Sequence, residues 1–193
     1  MIVWLGSPQP RNSRFLLLDR DGVLNEDRPD YVKNFEEVRF YPDALEALRF
    51  LRGNGAGVIL VSNQAGIGRG LIHWDDFWEI HEGVIRHVEQ HGGGIAAAFY
   101  CPHSPDENCE CRKPAPAMIL AACRFAGVDP CRTFFFGDRE SDMKAAENAG
   151  CPGIRICRTC RTSPQNGACA SGEPYFTNLL DAVLSIYGRA NRT

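Results

Sequence analysis

The chain has 193 residues, of which 44% are apolar and 23% are charged, and its formal net charge is −3 at pH 7. This length and apolar content predict a globular protein that buries an internal sheet. The small negative charge argues against a broad basic surface, so we expect no nucleic-acid partner. No apolar stretch approaches the length of a bilayer span, and residues 1 to 6 lack the features of a signal peptide. We therefore expect a soluble, cytoplasmic protein without a membrane partner.

Strand-like and helix-like segments alternate along the chain. The predicted strands cover residues 14–19, 57–62, 95–100, 133–137 and 153–156. The predicted helices cover residues 42–53, about 75–90, 116–125, 140–148 and 175–187. This alternation predicts the α/β class: a doubly wound parallel sheet with helices on both faces and right-handed crossovers.

The segments outside this alternation suggest how the chain is organised. Residues 1 to 13 are expected to form a loose leader, and residues 14 to 193 a single domain. Residues 158 to 193 would supply a final loop and helix, with the loop in the Gly- and Ser-rich stretch from 161 to 174. No inserted segment is long enough for a cap domain, so we expect the carboxyl ends of the strands to be open.

Two carboxylates, Asp19 and Asp21, directly follow the apolar run of residues 15 to 18. Residues at i and i+2 of an extended segment point the same way, so both side chains can face one small volume. A divalent cation could keep Asp19 ionised as a nucleophile while Asp21 serves as acid and then base. For an isolated pair, the alternative of ordinary strand-end and turn residues is the more common one.

Other predicted strand ends, and the segment before the third predicted helix, also carry groups suited to a phosphate and a cation. In chain order these groups are Ser62, Asn63, Arg112, Lys113, Asp138 and Asp142. The hydroxyl and amide could bind phosphate oxygens, the basic pair could neutralise a transferring phosphoryl group, and the carboxylates could complete a magnesium site. Each group alone could be a helix cap or a solvated charge. With the aspartate pair at 19 and 21, these groups give four matches at successive expected positions, which makes coincidence a poor account.

A cluster of three cysteines and one histidine lies within eleven residues: Cys101, His103, Cys109 and Cys111. Three thiolates and an imidazole make a closed tetrahedral zinc site without a position for catalytic water, so the predicted role is structural. Such a zinc-stapled loop over residues 101 to 111 would deliver the basic pair that follows it in a fixed geometry. The odd total of nine cysteines also argues against a secreted disulfide framework.

The remaining cysteines are expected not to bind metal. Cys123 and Cys131 lie in or beside apolar segments and are predicted to be small core residues. The four later ones are predicted to be free thiols, although two of them have the spacing of a metal knuckle or redox pair. These four are Cys151, Cys157, Cys160 and Cys169.

Together, the strand-end motifs resemble the haloacid dehalogenase superfamily of phosphatases over roughly residues 14 to 157. The resemblance implies that Asp19 attacks phosphorus to form an aspartyl phosphate. It implies that Asp21 protonates the leaving oxygen and later activates water. It also assigns phosphate binding to Ser62 and Lys113.

The same resemblance implies a catalytic magnesium ion, in addition to the structural zinc ion that the cysteine and histidine spacing predicts. Magnesium would be bound by Asp19, by the backbone carbonyl of Asp21 and by Asp138, with Asp142 supporting them from outside. Zinc would be bound by the cysteine and histidine cluster.

Within the superfamily, residues 19–25, residues 62–70 and the zinc loop ending in Cys-Arg-Lys-Pro resemble the histidinol-phosphate and heptose-bisphosphate branch. Val23 and Asn25 are more like the heptose-bisphosphate members, which release the 7-phosphate of D-glycero-D-manno-heptose 1,7-bisphosphate for cell-surface glycans. The short zinc loop and residues 137–142 resemble histidinol phosphatases equally well, so histidinol phosphate remains an alternative substrate.

The heptose interpretation makes the partner a small phosphorylated sugar bound by a monomeric enzyme. Arg112 would contact the sugar or its distal phosphate, and Asn25 would help line the pocket. Arg139 stands where heptose enzymes often have lysine, which leaves the geometry there open. Two further alternatives are an inactive, zinc-stapled interaction module and a nucleic-acid end phosphatase. The intact set of strand-end groups argues against the first, and the absence of a basic groove argues against the second.

Overall fold

The computed structural model describes residues 1–6, 14–159 and 175–187. Within them, seven strands form one sheet in the order β1-β4-β3-β2-β5-β6-β7. These strands are β1 (Ile2–Leu5), β2 (Arg14–Leu18), β3 (Ala56–Asn63), β4 (Ala97–Cys101), β5 (Phe135–Gly137), β6 (Gly153–Ile156) and β7 (Tyr175–Phe176). β1 is antiparallel to β4, and all other neighbouring strands are parallel. The predicted α/β class is confirmed.

The helices cover both faces of this sheet. They are α1 (Pro42–Gly53), the one-turn α2 (Ala65–Gly68), α3 (Trp74–Gln90), α4 (Ala117–Ala126), α5 (Glu140–Ala149) and α6 (Leu179–Tyr187). Alternate residues of β2 point to opposite faces. Leu16 and Leu18 join a core with α1, α3 and α6, whereas Leu17 joins a core with α4 and α5. The sheet is therefore doubly wound, as predicted.

Local sequence explains where several helices start and stop. α1 begins at Pro42, whose fixed φ suits the first helical turn. α4 and α5 end at Gly127 and Gly150, which adopt positive φ values of 64° and 69°. In the part of the chain that the structure describes, no helix combines the length and apolar composition needed to span a membrane.

Two terminal segments differ from the sequence-based expectation. Residues 2 to 5, expected to belong to a loose leader, form β1, because Ile2 and Trp4 alternate toward the core and the edge of β4 is available for pairing. The start of the predicted last helix is the short strand β7, and the helix itself begins at Leu179. The predicted loop at residues 161–174 lies outside the described residues, and the assignment of a single domain to residues 14–193 stays a prediction.

The cysteine predictions outside the metal cluster are partly confirmed. Cys123 is buried as predicted, whereas Cys131 is exposed because it lies in a short turn, Pro130–Arg132, outside the core. Cys151 is a free, buried thiol, but Cys157 is disulfide-bonded, so the prediction of a free thiol is wrong there. The last two fall outside the described residues: Cys160 and Cys169.

The packing of β1 predicts that Trp4 contributes to stability. Its ring makes an edge contact with His81, with centroids 4.7 Å apart, whereas Val3 on the opposite side of the same strand is 45% exposed. We expect Trp4→Ala to lower the free energy of unfolding by about 1–3 kcal/mol and Val3→Ala by less than about 0.5 kcal/mol. Urea denaturation measures both, and equal small effects would indicate that β1 is not docked.

Candidate functional site

The carboxyl ends of the parallel strands β4, β3, β2 and β5 meet at one edge of the sheet, where α/β proteins bind ligands. An open cleft of about 240 Å³ lies there. Of the predicted site residues, Asp19, Asp21, Ser62, Asn63, Arg112, Lys113 and Asp142 line it. The fold thus brings together groups that are up to 123 residues apart in the sequence, from Asp19 to Asp142.

Three carboxylates crowd together beside this cleft. Single oxygen atoms of Asp19, Asp138 and Asp142 lie within 4.8 Å of one another. Burial, aided by repulsion from Asp142, raises the pKa of Asp19 to about 6 against the opposing effect of Lys113. Burial and the two neighbouring carboxylates raise the pKa of Asp138 to about 8, and its Oδ1 is buried without a hydrogen-bond partner. This group of crowded carboxylate oxygens, of which Asp138 Oδ1 is unsatisfied, fits a hard divalent cation.

Two glycines allow the carboxylates to approach so closely. Gly22 has a φ of +82°, and a Cβ atom there would collide with the carboxylate of Asp138. A Cβ atom at Gly137 would likewise overlap the side chain of Asp142. The absence of a side chain at these two positions is therefore a requirement of the site.

Lys113 is the cation held among these carboxylates. Its Nζ lies 2.9 Å from Asp19 Oδ2 and 2.7 Å from Asp142 Oδ1, and it donates a hydrogen bond to the carbonyl of Val61. Burial alone would lower the pKa of Lys113, but the two carboxylates raise it above its usual value. Lys113 therefore carries a positive charge at neutral pH.

Asn63 fixes the backbone that carries this lysine. Its Nδ2 donates to the carbonyl of Lys113, and its Oδ1 accepts from the backbone N–H of Lys113, both at 3.1 Å. The prediction placed the Asn63 amide on a phosphate. The structure shows that much of its hydrogen-bonding capacity is used to hold Lys113.

Asp21 is held by donors that the sequence analysis did not assign. Arg20 donates to both carboxylate oxygens, from Nε at 3.1 Å and from Nη2 at 2.9 Å, and Gln64 Nε2 donates to Oδ2 at 2.8 Å. Burial alone would raise the pKa of Asp21, but Arg20 and the hydrogen bonds lower it below its usual range. Gln64 is 4% exposed, and α2 follows it directly.

Asn25 also supports Asp21 and does not line the cleft. Its Nδ2 donates to Asp21 Oδ1 at 2.9 Å and to the carbonyl of Glu26, and the residue is 1% exposed. The Asn25 side chain thus turns inward beneath the carboxylate of Asp21, and its predicted role in the substrate pocket stays a prediction. A signal was present for Gln64, which stands two residues after Ser62 and directly beyond the last residue of β3.

Basic side chains form the outer wall of the cleft. Arg28, Arg112 and Arg139 line it together with Asp27. Arg139 pairs with Asp27, whereas Arg112 donates from Nη1 to the carbonyl of His103 at 3.2 Å. Among the described residues, no carboxylate forms an ion pair with Arg112. This guanidinium therefore keeps donors for an anionic ligand.

The cysteine and histidine cluster is assembled beside this wall. Sulfur atoms of Cys101 and Cys109 are 3.5 Å apart, and those of Cys109 and Cys111 are 3.6 Å apart. His103 Nδ1 lies 3.6 Å and 3.4 Å from the sulfur atoms of Cys101 and Cys111. The edges of a tetrahedral zinc site with these ligands are about 3.6–3.8 Å. The four predicted ligands are therefore in place for a metal ion.

With this geometry established, comparison with known proteins identifies the family. The family model of the haloacid dehalogenase-like hydrolases matches residues 3 to 150, which is more than half of the chain. The chain belongs to this hydrolase family. The resemblance predicted from the strand-end motifs is confirmed.

Relatives of this hydrolase carry one recurrent name. The D-glycero-beta-D-manno-heptose-1,7-bisphosphate 7-phosphatase of Pseudomonas aeruginosa is 37% identical over 73% of this chain and 79% of its own length. The enzyme of the same name from Pseudomonas putida is 32% identical over 90% and 97%.

A solved structure is similar over most of this hydrolase. It is D,D-heptose 1,7-bisphosphate phosphatase from B. bronchiseptica, complexed with magnesium and phosphate. It shares 33% identity and a TM-score of 0.81 over 91% of this chain and 99% of its own.

The crowding of carboxylates predicts how the stability of the metal-free hydrolase depends on pH. A carboxyl group whose folded pKa is about 8 binds its proton more tightly in the folded state, so its contribution to stability is lost as pH rises from about 4 to about 8. In EDTA, we expect Asp138→Asn to be more stable than the wild type near pH 8, with the difference vanishing near pH 4.

Urea denaturation at several pH values checks this expectation, with the exposed Glu79→Gln as the matched control. A difference that stays constant with pH, or one equal to that of the control, would contradict it.

Proposed function

We propose that this hydrolase is a phosphatase that removes the 7-phosphate of D-glycero-D-manno-heptose 1,7-bisphosphate. The observation that carries the proposal is the convergence of Asp19, Lys113 and Ser62 on one cleft, with Asp138 beside them. This set offers a nucleophile, a fixed cation, a hydroxyl donor and a cation-binding carboxylate, which phosphoryl transfer requires. The names of the similar proteins support the same substrate and favour it over histidinol phosphate.

The reaction would proceed in two steps. A carboxylate oxygen of Asp19 attacks phosphorus, and the bond to the sugar oxygen breaks as Asp21 gives that oxygen a proton. Asp21 then takes a proton from water, whose oxygen attacks the aspartyl phosphate and releases inorganic phosphate and free Asp19. Lys113 and Ser62 bind the phosphoryl oxygens throughout.

The protonation state of Asp21 is the demanding part of this scheme. Arg20 and the hydrogen bonds to the carboxylate favour its charged form in the structure, which suits the base in the second step. Donation in the first step requires Asp21 to acquire a proton and to turn toward the leaving oxygen. Its side chain is 20% exposed and lines the cleft, where the leaving oxygen would lie.

The cluster of three carboxylates, Asp19, Asp138 and Asp142, fits magnesium, the ion named in the related solved structure. We propose that Asp19, the backbone carbonyl of Asp21 and Asp138 bind it, with Asp142 as outer support. When bound, the ion would supply positive charge against the phosphoryl oxygens. The backbone N–H of Arg139 donates to Asp142 Oδ2 at 3.0 Å, a contact that supports an outer role for Asp142 in this proposal.

The thiol and imidazole cluster fits zinc in a structural role. All four ligand positions are filled by protein side chains, so no position remains for catalytic water. Its last ligand, Cys111, immediately precedes Arg112 and Lys113. Zinc would therefore hold the segment that presents both cations to the cleft.

The three arginines of the outer wall of the cleft, Arg28, Arg112 and Arg139, favour a bisphosphate over histidinol phosphate. A sugar bisphosphate carries a second phosphate, which Arg112 can bind because none of the described carboxylates pairs with it. Histidinol phosphate carries an amine and an imidazole, which gain nothing from a guanidinium-rich wall.

We further propose that the enzyme acts as a cytoplasmic monomer, without a nucleic-acid or membrane partner.

The substrate assignment is tested by kcat/KM for heptose 1,7-bisphosphate and for histidinol phosphate, measured side by side in magnesium. We expect a preference of at least about 100-fold for the heptose bisphosphate, because only this substrate can occupy a second phosphate site. Asp19→Asn should abolish turnover of both, with the thermal unfolding midpoint showing a folded protein. Preference for histidinol phosphate would overturn the substrate, and an active Asp19→Asn variant would overturn the covalent mechanism.

The zinc assignment predicts one zinc ion per chain in the purified wild-type protein. Cys109→Ser should lose this zinc and lower the thermal unfolding midpoint, since a ligand of a closed site is removed. Cys131→Ser is the matched control, because this exposed thiol lies outside the cluster. Elemental analysis showing equal zinc in all three proteins, or none in the wild type, would contradict the assignment.

A further inference from the structure

We propose that Gln64 is a positioning residue that links the proton-transferring Asp21 to the phosphate-binding Ser62. The inference rests on the proposed phosphatase function, since that function supplies the roles of the two residues. It adds a part of the machinery that lies between the motifs recognised in the sequence.

The contacts of Gln64 account for each polar atom of its side chain. Nε2 donates to Asp21 Oδ2 at 2.8 Å and to Ser62 Oγ at 3.1 Å, while Oε1 accepts from Arg20 Nη2 at 3.0 Å. A carboxamide nitrogen has two hydrogens, so both are used. With 4% of its surface exposed, Gln64 has no donor left for a substrate and acts through other residues of the chain.

The contact with Ser62 determines how its hydroxyl can be used. A hydroxyl group carries one hydrogen and two lone pairs. Because Ser62 Oγ accepts a hydrogen bond from Gln64, its own hydrogen remains available for an acceptor in the cleft. Ser62 lines the cleft, so a phosphate oxygen bound there is a suitable acceptor. Gln64 therefore orients the hydroxyl as a donor.

The contact with Asp21 completes a bracket around its carboxylate, formed by Arg20, Asn25 and Gln64. Of these three, Gln64 alone is hydrogen-bonded to Ser62 within the described part of the chain. It therefore sets the separation between the proton-transferring carboxylate and the phosphate site. An error in this separation slows the chemical step more than it weakens binding, because the ground-state phosphate contacts with Lys113 remain.

The test compares Gln64→Ala with Gln90→Ala, a matched change at an exposed glutamine at the end of α3. Two substrates are used. The first is the alkyl phosphate heptose 1,7-bisphosphate, and the second is p-nitrophenyl phosphate, whose leaving group needs no proton. For Gln64→Ala we expect kcat on the alkyl phosphate to fall at least about tenfold, with KM changed by less than about threefold. The loss on p-nitrophenyl phosphate should be smaller.

A second comparison places Gln64→Ala in an Asp21→Asn background. If Gln64 acts through Asp21, the double variant should be about as slow as Asp21→Asn on the alkyl phosphate. Should the alanine variant not fold, Gln64→Met retains the side-chain length without the amide, with Gln90→Met as its control. Thermal unfolding midpoints establish that each variant is folded.

Three results would overturn the inference: an unchanged kcat, a rise in KM alone, or losses that multiply in the double variant. A rise in KM alone would make Gln64 a substrate contact, and multiplying losses would make it independent of Asp21. A wild type without activity on heptose bisphosphate contradicts the proposed substrate only. The comparison of variants then proceeds with histidinol phosphate, and a wild type inactive on every phosphate ester overturns both proposals.

Discussion

The site depends on one electrostatic constraint: more negative charge is buried at the end of the sheet than one lysine can neutralise. Asp19, Asp138 and Asp142 crowd around Lys113, and the pKa values of the first two are raised to about 6 and about 8. Buried like charges are tolerated only with a proton or a cation between them. Binding of a cation is therefore favoured at the place where a phosphoryl group and its metal are expected.

Neighbouring backbone and side-chain contacts hold these charged groups close together. Glycines at positions 22 and 137 remove the atoms that would push the carboxylates apart. The backbone of Asp19 is tied to β5 by a hydrogen bond to Phe136, so the nucleophile and the end of β5 stay side by side. Lys113 arrives from a third direction, held by Asn63 and by the loop that begins with the thiol and imidazole cluster. Carboxylates that repel one another stay this close only when rigid elements hold them.

Asp21 shows a different solution to the same problem. It lies two residues from Asp19, yet its pKa falls where that of Asp19 rises, because Arg20 and two amides donate to it. Two carboxylates that are nearly adjacent in sequence thus receive opposite environments. Groups separated in this way can take different roles in one reaction, as nucleophile and as acid and base.

Much of the architecture could be predicted from the sequence alone. Apolar runs and helix signals predicted the five central strands and the alternation of layers, because burial imposes their periodicity locally. The strand-end rule then placed Asp19, Ser62 and Asp138 at one edge, and ligand spacing predicted the cluster from Cys101 to Cys111. These predictions succeeded because each depends on residue types and short-range geometry.

Tertiary structure decided where side chains turn once the strands are assembled. Gln64 and Asn25 lie in recognised motifs, yet neither was expected to support Asp21. Gln64 bonds to it across 43 residues, and Asn25, only four residues away, bonds to it through the turn that follows β2. Docking of residues 2 to 5 as β1 likewise depends on a free edge of β4 that only the folded sheet provides. Periodicity reports which residues are buried, whereas hydrogen-bond partners are chosen by long-range contacts that no local pattern records.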